Sequence, residues 1–342
     1  MRYHARIGYT YMPDAKLRVQ GSNGGYLVRT NAAGFRSDRE FVPARKSGTF
    51  RVMLFGDSQT AGDGTINALR YSDLLEQAVP DLEINNYGLS GTGTDQQLLT
   101  YRENSAIEHD LVVIGIYVEN VRRLLSRIVR SRDASGEEVF RAKPYFTMDP
   151  EGMVLRNVPV PKQPWTDETL PKELSPYVYA FGQEHSSFRN PTSWYATLLR
   201  GLTPSGPVRE RMKSVLTKFR EFQPLPEYDA PDNPGWLLLR EILATWIRES
   251  RTPVLLVLLP HETALMGTSD AKNCQTRFRE LARDTGCHVF DPLPAFHKLD
   301  IDERSALWSD AYGHLSVQGH EALARLLAPQ VREFMTQRAP TV

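Results

Sequence analysis

The sequence predicts an α/β fold in three layers, with helices on both faces of a mainly parallel sheet. Short apolar runs bounded by glycine or polar residues, such as Leu111–Ile116 and Val254–Leu259, are typical of strands buried on both faces. Stretches of helical character separate these runs, and this alternation favours parallel strands joined by right-handed crossovers. The chain has 342 residues, 41% of them hydrophobic, which is enough for a sizeable core.

The predicted elements follow one another regularly along most of the chain. The predicted strands cover 51–55, 82–87, 111–116, 254–259 and 287–291. The predicted helices lie at about 69–78, 94–108, from about 120, 234–250, 269–285 and 316–336. These elements form one α/β domain made of 51–131 and 233–342, preceded by an irregular segment, 1–50, that packs on it.

Residues 132–232 interrupt the alternation and are predicted to form an insertion, or cap, between the two halves of the domain. The strand-like runs Val139–Phe140 and Met153–Leu155, on either side of Asp149–Gly152, indicate a hairpin. Helices are expected at about 192–203 and 207–221. The aromatic residues of the insertion either line a substrate cleft or pack beneath it, and packing is favoured for most of them. They include Trp165, Tyr177, Tyr179, Phe181, Trp194 and Tyr195.

Composition and charge narrow the range of partners. The 41 basic and 41 acidic residues balance, so bulk charge gives no reason to expect a nucleic-acid or membrane-surface partner. The longest apolar stretch, Pro253–Pro260, is too short to span a bilayer. No signal peptide is visible in Met1–Asp14, which predicts a cytoplasmic protein, although removal of a leader from an extracytoplasmic protein would leave the same sequence. Cys274 and Cys287 form no disulfide framework and are read as ordinary thiols. The sequence leaves the oligomeric state open.

The first predicted strand runs directly into Gly56, Asp57 and Ser58. Ser58 therefore follows the carboxyl end of a buried strand, where open α/β sheets bind their ligands. The alternative interpretation is a serine that only caps the next helix. Polar, glycine-containing loops also follow the next two strands, at Asn86–Gly93 and Tyr117–Asn120, and a further one lies at Trp308–Ser316.

These loops carry the residue types that acyl transfer requires. A serine hydroxyl is a weak nucleophile that needs a base, and a histidine oriented by an aspartate suits that role. Ser58 is the candidate nucleophile, His314 the candidate base and Asp310 its candidate orienting residue. The tetrahedral intermediate carries an oxyanion that needs preorganised donors. The candidates are the backbone N–H groups of Ser58 and Gly91 and the side-chain amide of Asn120.

Ser58, Gly91, Asn120 and His314 match, in chain order, the four residues for which the SGNH hydrolases are named, and Gly56-Asp57-Ser58 resembles the first block of these GDSL enzymes. The resemblance covers about 50–120 and 250–335. It implies a flavodoxin-like α/β/α fold, a serine esterase activity without a cofactor, and the roles just given. An acylated carbohydrate or similar polar small molecule is the substrate that the family suggests.

Two blocks depart from the family pattern. The third is usually Gly-x-Asn-Asp, and here Asn120 ends Tyr117-Val118-Glu119-Asn120. The fifth is usually Asp-x-x-His, and here one extra residue separates Asp310 from His314. Either the loop bulges to restore the contact or another group orients the base.

Other polar residues near these loops receive weaker assignments. Asp57, Glu119 and His261 are candidate substrate contacts, whereas His320 is expected to pack in a helix. No HExxH, paired CxxC or EF-hand motif occurs, so no metal is predicted. The run Gly91-Thr92-Gly93-Thr94 lacks the lysine of a phosphate-binding loop.

Three functions remain open on this basis. The first is hydrolysis of a carboxylic ester through an acyl-enzyme. The second is an acyltransferase that uses the same site with an alcohol in place of water. The third, which the two altered blocks favour, is a binding domain without catalysis.

Overall fold

The structure is a computed structural model that describes residues 1–20, 25–133, 135–179, 225–309 and 313–338. Its centre is a sheet of five parallel strands, labelled β1 to β5 in chain order. They are Phe50–Phe55 (β1), Leu82–Asn86 (β2), Leu111–Tyr117 (β3), Val254–Leu259 (β4) and His288–Phe290 (β5). All of the predicted strands are present, and the predicted parallel sheet is confirmed.

The strands lie in the spatial order 2-1-3-4-5, the doubly wound order of flavodoxin-like folds. The central positions explain the composition of the strands. Every residue of β1 and β4 is buried, because both faces of the sheet are covered by helices. The sequence Val-Leu-Leu-Val-Leu-Leu of β4 accordingly lacks the polar alternation of a strand that faces water.

Helices cover both faces of the sheet, which confirms the three predicted layers. The longer helices are Tyr71–Ala78 (α2), Thr94–Asn104 (α3), Pro234–Glu249 (α4), Lys272–Thr285 (α5) and Val317–Gln337 (α6), and a single turn, Ser58–Ala61 (α1), follows β1. Leu98, Ile242 and Phe278 bring α3, α4 and α5 into one buried cluster, and Leu75 and Leu323 bring α2 and α6 into a second one. Shorter helices occupy Val121–Leu124, Glu262–Leu265, Leu293–Phe296 and Ile301–Ala306, with 3-10 turns at Asn67–Leu69, Val118–Asn120, Ser175–Tyr177 and Pro226–Tyr228. Within the described ranges no helix is both long and apolar enough to cross a bilayer.

The N-terminal segment is more regular than predicted. It forms two antiparallel hairpins, Arg2–His4 with Gly8–Thr10 and Lys16–Val19 with Tyr26–Arg29. These strands are only three or four residues long and have mixed burial, so they lack the apolar alternation from which a strand is predicted. The segment is anchored by Arg36, whose buried guanidinium donates to the carbonyl oxygens of Gly62 and Thr65, each at 2.7 Å.

The start of the insertion also differs from prediction. The helix expected after β3 is one turn, Val121–Leu124, and the chain then enters strand Ile128–Arg132. That strand pairs with Glu138–Ala142, so the Val139–Phe140 run is not the partner of Met153–Leu155. The hairpin around Asp149–Gly152 is instead formed by Tyr145–Asp149 and Gly152–Arg156. Strand Val178–Tyr179 lies beside Ile128–Val129, and Trp308–Ser309 pairs with His314–Leu315.

The structure describes only some of the aromatic residues and none of the helices predicted for the insertion. Trp165 forms a backbone bridge with Phe140. The Arg127 guanidinium lies 3.8 Å from the centroid of the Tyr177 ring, so Tyr177 takes part in packing. The helices predicted at 192–203 and 207–221, and Phe181, Trp194 and Tyr195, lie outside the described residues. The division of the chain into a domain and an insertion at 132–232 stays a prediction.

Candidate active site

The strand order creates a crevice beside β1. Chain connections leave β1 and β3 toward opposite sides of the sheet, and such a switch point is where open α/β sheets bind ligands. The loop after β1 carries Asp57 and Ser58, and the loop after β3 carries Asn120. Because β1 and β3 are paired, these two loops, which are distant in the sequence, are neighbours at the carboxyl edge.

Ser58 is the first residue of α1 and not its cap. The cap is Asp57, whose Oδ1 accepts the Gln59 N–H at 2.9 Å. The interpretation of Ser58 as a helix cap is therefore wrong. Within the described residues the Ser58 hydroxyl makes no hydrogen bond, so its proton is not committed to a helix.

Asp57 connects the first loop to the third. Its Oδ2 accepts from the side-chain amide of Asn120 and lies 3.5 Å from Nη1 of Arg123. Both carboxylate oxygens are thus occupied, and the side chain is fully buried. The sequence predicts Asp57 as a candidate substrate contact, whereas in the structure its carboxylate is buried and bonded within the protein. Asn120 uses one of its two amide hydrogens on Asp57, which fixes the direction of the other.

The loop after β2 is fastened to the same place. The Leu89 N–H donates to the Gly56 carbonyl at 3.1 Å, and Arg123 Nη1 donates to the Thr92 carbonyl at 3.1 Å. A side chain at Gly88 would lie 2.5 Å from the Ala61 nitrogen, so only glycine allows this close approach. Gly91 has φ +81°, a left-handed conformation that also favours glycine. Its N–H makes no hydrogen bond within the described ranges and is free to bind a ligand.

The C-terminal segment is held to α1 by Gln59. Its Nε2 donates to the Gly313 carbonyl at 2.8 Å, and its Oε1 accepts the Leu315 N–H at 2.9 Å. This buried side chain therefore binds the backbone on both sides of His314, as a neighbouring strand would. Since Gln59 directly follows Ser58, the arrangement ties the segment that carries His314 to the turn that carries Ser58.

His314 and Ser58 lie on adjoining segments without a direct bond. Within the described residues the imidazole makes no hydrogen bond, and Asp310, its predicted orienting residue, lies outside them. Burial raises the pKa of the nearby Asp63, while the Ser90 hydroxyl, Arg36 and His314 act in the opposite direction. His314 is thus within electrostatic range of Asp63. Catalytic hydrogen bonds are often long in the free state of an enzyme and tighten when substrate binds.

Glu119 and His261 lie together at the ends of β3 and β4. Glu119 Oε2 is 3.9 Å from His261 Nε2, and both side chains are partly exposed. The Tyr117 ring stacks on His261 at a centroid distance of 6.4 Å and lies tilted against Trp308 at 6.3 Å. Burial, together with the charges of Glu119 and Asp57, raises the pKa of Tyr117. Beside this group is an apolar pocket lined by Val118, Leu258, Ala264, Cys274 and Leu293.

Sequence reasoning missed Gln59, Arg123 and the network around Lys143. Lys143, from the segment predicted to be an insertion, is buried and donates to Asp95 Oδ2 at 2.6 Å and to the Arg123 carbonyl at 2.8 Å. No spacing rule points to these side chains, since each contacts a residue far away in the sequence. For Gln59 the only signal was a polar residue within a turn that packs on a buried strand.

Solved structures with a similar fold have low sequence identity to this chain. A lipase/acylhydrolase from Enterococcus faecalis is 15% identical with a TM-score of 0.43, the similarity covering 86% of this chain and 100% of that one. A lipolytic protein of the G-D-S-L family from Veillonella parvula is 10% identical with a TM-score of 0.39, covering 82% and 97%. The psychrotrophic esterase EstA from Pseudoalteromonas sp. is 12% identical with a TM-score of 0.40, covering 84% and 98%. No protein-family model and no curated protein matches the sequence.

Proposed function

We propose that this chain is a serine hydrolase that cleaves a carboxylic ester, with Ser58 as the nucleophile. One observation carries the proposal. The loops bearing Ser58, Gly91 and Asn120 and the strand bearing His314 are fastened to one another at one edge of the sheet by Asp57, Arg123, Gln59 and the Gly56 carbonyl. These bonds support a site in which the Ser58 hydroxyl, the His314 imidazole and free amide hydrogens act together, which is the set that acyl transfer needs.

In the proposed mechanism Ser58 Oγ attacks the acyl carbonyl while His314 accepts the hydroxyl proton. The carbonyl oxygen becomes an oxyanion that binds the N–H groups of Ser58 and Gly91 and the free amide hydrogen of Asn120. His314 then gives the proton to the leaving alcohol, which leaves an acyl-enzyme. Water, activated by His314, hydrolyses that ester and regenerates Ser58. Asp310 is proposed to orient His314.

An acylated carbohydrate, or a similarly polar alcohol, is the proposed substrate class. The support is the paired carboxylate and imidazole of Glu119 and His261, which lie at the same edge and are partly exposed. Such groups bind hydroxyls well. The apolar pocket next to them would hold a non-polar part of the ester.

The test is Ser58→Ala with p-nitrophenyl acetate as substrate. We expect the variant to lose turnover and to lose labelling by a fluorophosphonate probe. Ser105→Ala, at the far end of α3, is the matched control and should behave like the wild type. Full activity of Ser58→Ala would refute the proposal. Failure of the wild-type protein to react with the probe would instead favour a binding domain.

Hydrolysis and acyl transfer are separated by product analysis. The same ester is incubated with and without a sugar acceptor, and the products are identified by mass spectrometry. Free acid alone in both reactions supports the hydrolase. Acylated acceptor as the main product would replace it with an acyltransferase that uses the same residues.

A further inference from the structure

The first N-terminal hairpin, Arg2–His4 with Gly8–Thr10, contacts the loop that carries Gly91. Ile7 lies in the turn between these two strands and is buried in the same cluster as α3, α4 and α5. Its carbonyl accepts from Gln96 Nε2 on α3 at 2.8 Å. The following strand, Gly8–Thr10, therefore runs along the start of α3, and it places Tyr9 and Tyr11 against Ser90. No motif in the sequence assigns a function to this hairpin.

Two tyrosines hold Ser90 from its two sides. The Tyr9 hydroxyl donates to the Ser90 carbonyl oxygen at 2.6 Å. The Ser90 N–H donates to the Tyr11 hydroxyl at 3.0 Å, and the Ser90 and Tyr11 hydroxyls are 2.6 Å apart. Because the Ser90 hydroxyl donates to Asp63 Oδ1 at 2.7 Å, Tyr11 must be the donor to Ser90 Oγ. All of these protons are thus assigned without conflict.

The Tyr9 bond acts on Gly91 through the shared peptide group. The Ser90 carbonyl and the Gly91 N–H belong to one planar trans unit and point in opposite directions. Fixing the oxygen therefore fixes the direction of the N–H. A hydrogen bond to the carbonyl also polarises the unit and strengthens the N–H as a donor. Gly91, with its φ of +81°, lacks the side chain that would otherwise restrict this unit.

We propose that Tyr9 is a positioning residue for ester hydrolysis, which orients the Ser90–Gly91 peptide so that the Gly91 N–H binds the oxyanion. Tyr11 holds the same peptide from the Ser90 side. The inference rests on the proposed function and assigns the first N-terminal hairpin a role in the active site. Burial raises the pKa of both tyrosines, so both hydroxyls keep their protons at neutral pH.

The same hairpin offers a matched control. The Tyr3 hydroxyl donates to the Val160 carbonyl at 2.7 Å, so it makes the same kind of bond from the same hairpin to a different part of the molecule. Tyr3→Phe and Tyr9→Phe each delete one oxygen and one hydroxyl-to-carbonyl bond. Only Tyr9→Phe removes a bond to the peptide of Gly91.

The experiment measures kcat and KM for p-nitrophenyl acetate, inhibition by a trifluoromethyl ketone analogue and thermal unfolding. Loss of one hydrogen bond changes an equilibrium or rate by about tenfold. We expect Tyr9→Phe to lower kcat by about tenfold with little change in KM, and to weaken the ketone by a similar factor. A role in folding alone would lower the melting temperature and leave the kcat of the folded fraction unchanged. Tyr3→Phe should keep the wild-type kcat.

The outcomes separate this inference from the proposed function. A wild-type protein that hydrolyses the ester, together with a Tyr9→Phe variant of unchanged kcat, overturns the inference and leaves the proposed function standing. An equal loss of kcat in Tyr3→Phe overturns it as well. A wild-type protein that neither turns over the ester nor reacts with the fluorophosphonate at Ser58 overturns both.

Discussion

Replacing Gln59 by leucine tests whether one side chain keeps His314, the proposed base, beside Ser58, the proposed nucleophile. The change removes the donor to the Gly313 carbonyl and the acceptor for the Leu315 N–H, two bonds of 2.8 and 2.9 Å. It alters neither Ser58 nor His314. Leucine also has nearly the volume of glutamine, so the packing around α1 should be kept.

The expected free-energy cost depends on whether the two backbone groups that lose Gln59 as their partner can bind water instead. Gly313 is partly exposed, so its carbonyl can bind water and the loss costs about 1 kcal/mol. Leu315 is 3% exposed, and leaving its N–H buried without a partner costs about 1–3 kcal/mol. The sum, about 2–4 kcal/mol, is an upper limit because pairing with Trp308–Ser309 also holds the segment. If the loss of these bonds moves His314 away from Ser58, the same free energy is missing from the transition state, and kcat/KM falls by about 30- to 1000-fold.

The assay compares Gln59→Leu with Gln97→Leu, using ester hydrolysis and urea unfolding. Gln97 is equally buried on α3, and its Oε1 has no hydrogen-bond partner among the described residues. We expect Gln97→Leu to keep both activity and stability, since it removes an unsatisfied polar group. The reasoning is refuted if Gln59→Leu retains activity within twofold of the wild type, or if both variants lose activity equally.

Two other changes test the proposed role of Gly91 in binding the oxyanion and the packing of His320 as a buried, uncharged side chain. Gly91→Ala places a side chain at φ +81° and should cost about 1–2 kcal/mol of stability and most of the activity, whereas Gly136→Ala, at φ +90° in an exposed turn, should lower stability alone. Equal activity of the two variants in the ester assay would contradict a role for Gly91. Burial lowers the pKa of His320 from 6.5 to about 3, with Arg70, Arg36 and His314 adding to the shift. The unfolded state therefore binds more protons below pH 6.5, and stability should fall by about 2 kcal/mol from pH 7 to pH 5 through this group. In His320→Asn the amide oxygen can still accept the Tyr71 N–H. Urea titrations at pH 7 and pH 5 should therefore show a difference in unfolding free energy that is smaller by about 2 kcal/mol than in the wild type. An unchanged difference would contradict the assignment.

Local pattern predicted the parts of the fold that depend on local physics. A strand buried on both faces must be apolar along its length, so β1, β3 and β4 could be read directly from the sequence. The hairpins of the N-terminal segment and the pairing of Glu138–Ala142 were missed or misassigned. Their short strands have mixed burial, and the choice of partner depends on the turn and on what covers each face.

The sequence by itself determined that Ser58 follows a buried strand and that glycine and asparagine follow its two neighbours in the chain. The parallel sheet then required these residues to meet at one edge, because crossover connections return every strand in the same direction. Only the tertiary structure decided how they are held. Gln59 donates to the carbonyl of Gly313, 254 residues later in the chain. The Asp57 carboxylate contacts Asn120 and Arg123, and Tyr9 donates to the Ser90 carbonyl, 81 residues later. Hydrogen bonds of this kind depend on distances that no local pattern encodes, since the partners are chosen by packing and not by spacing along the chain.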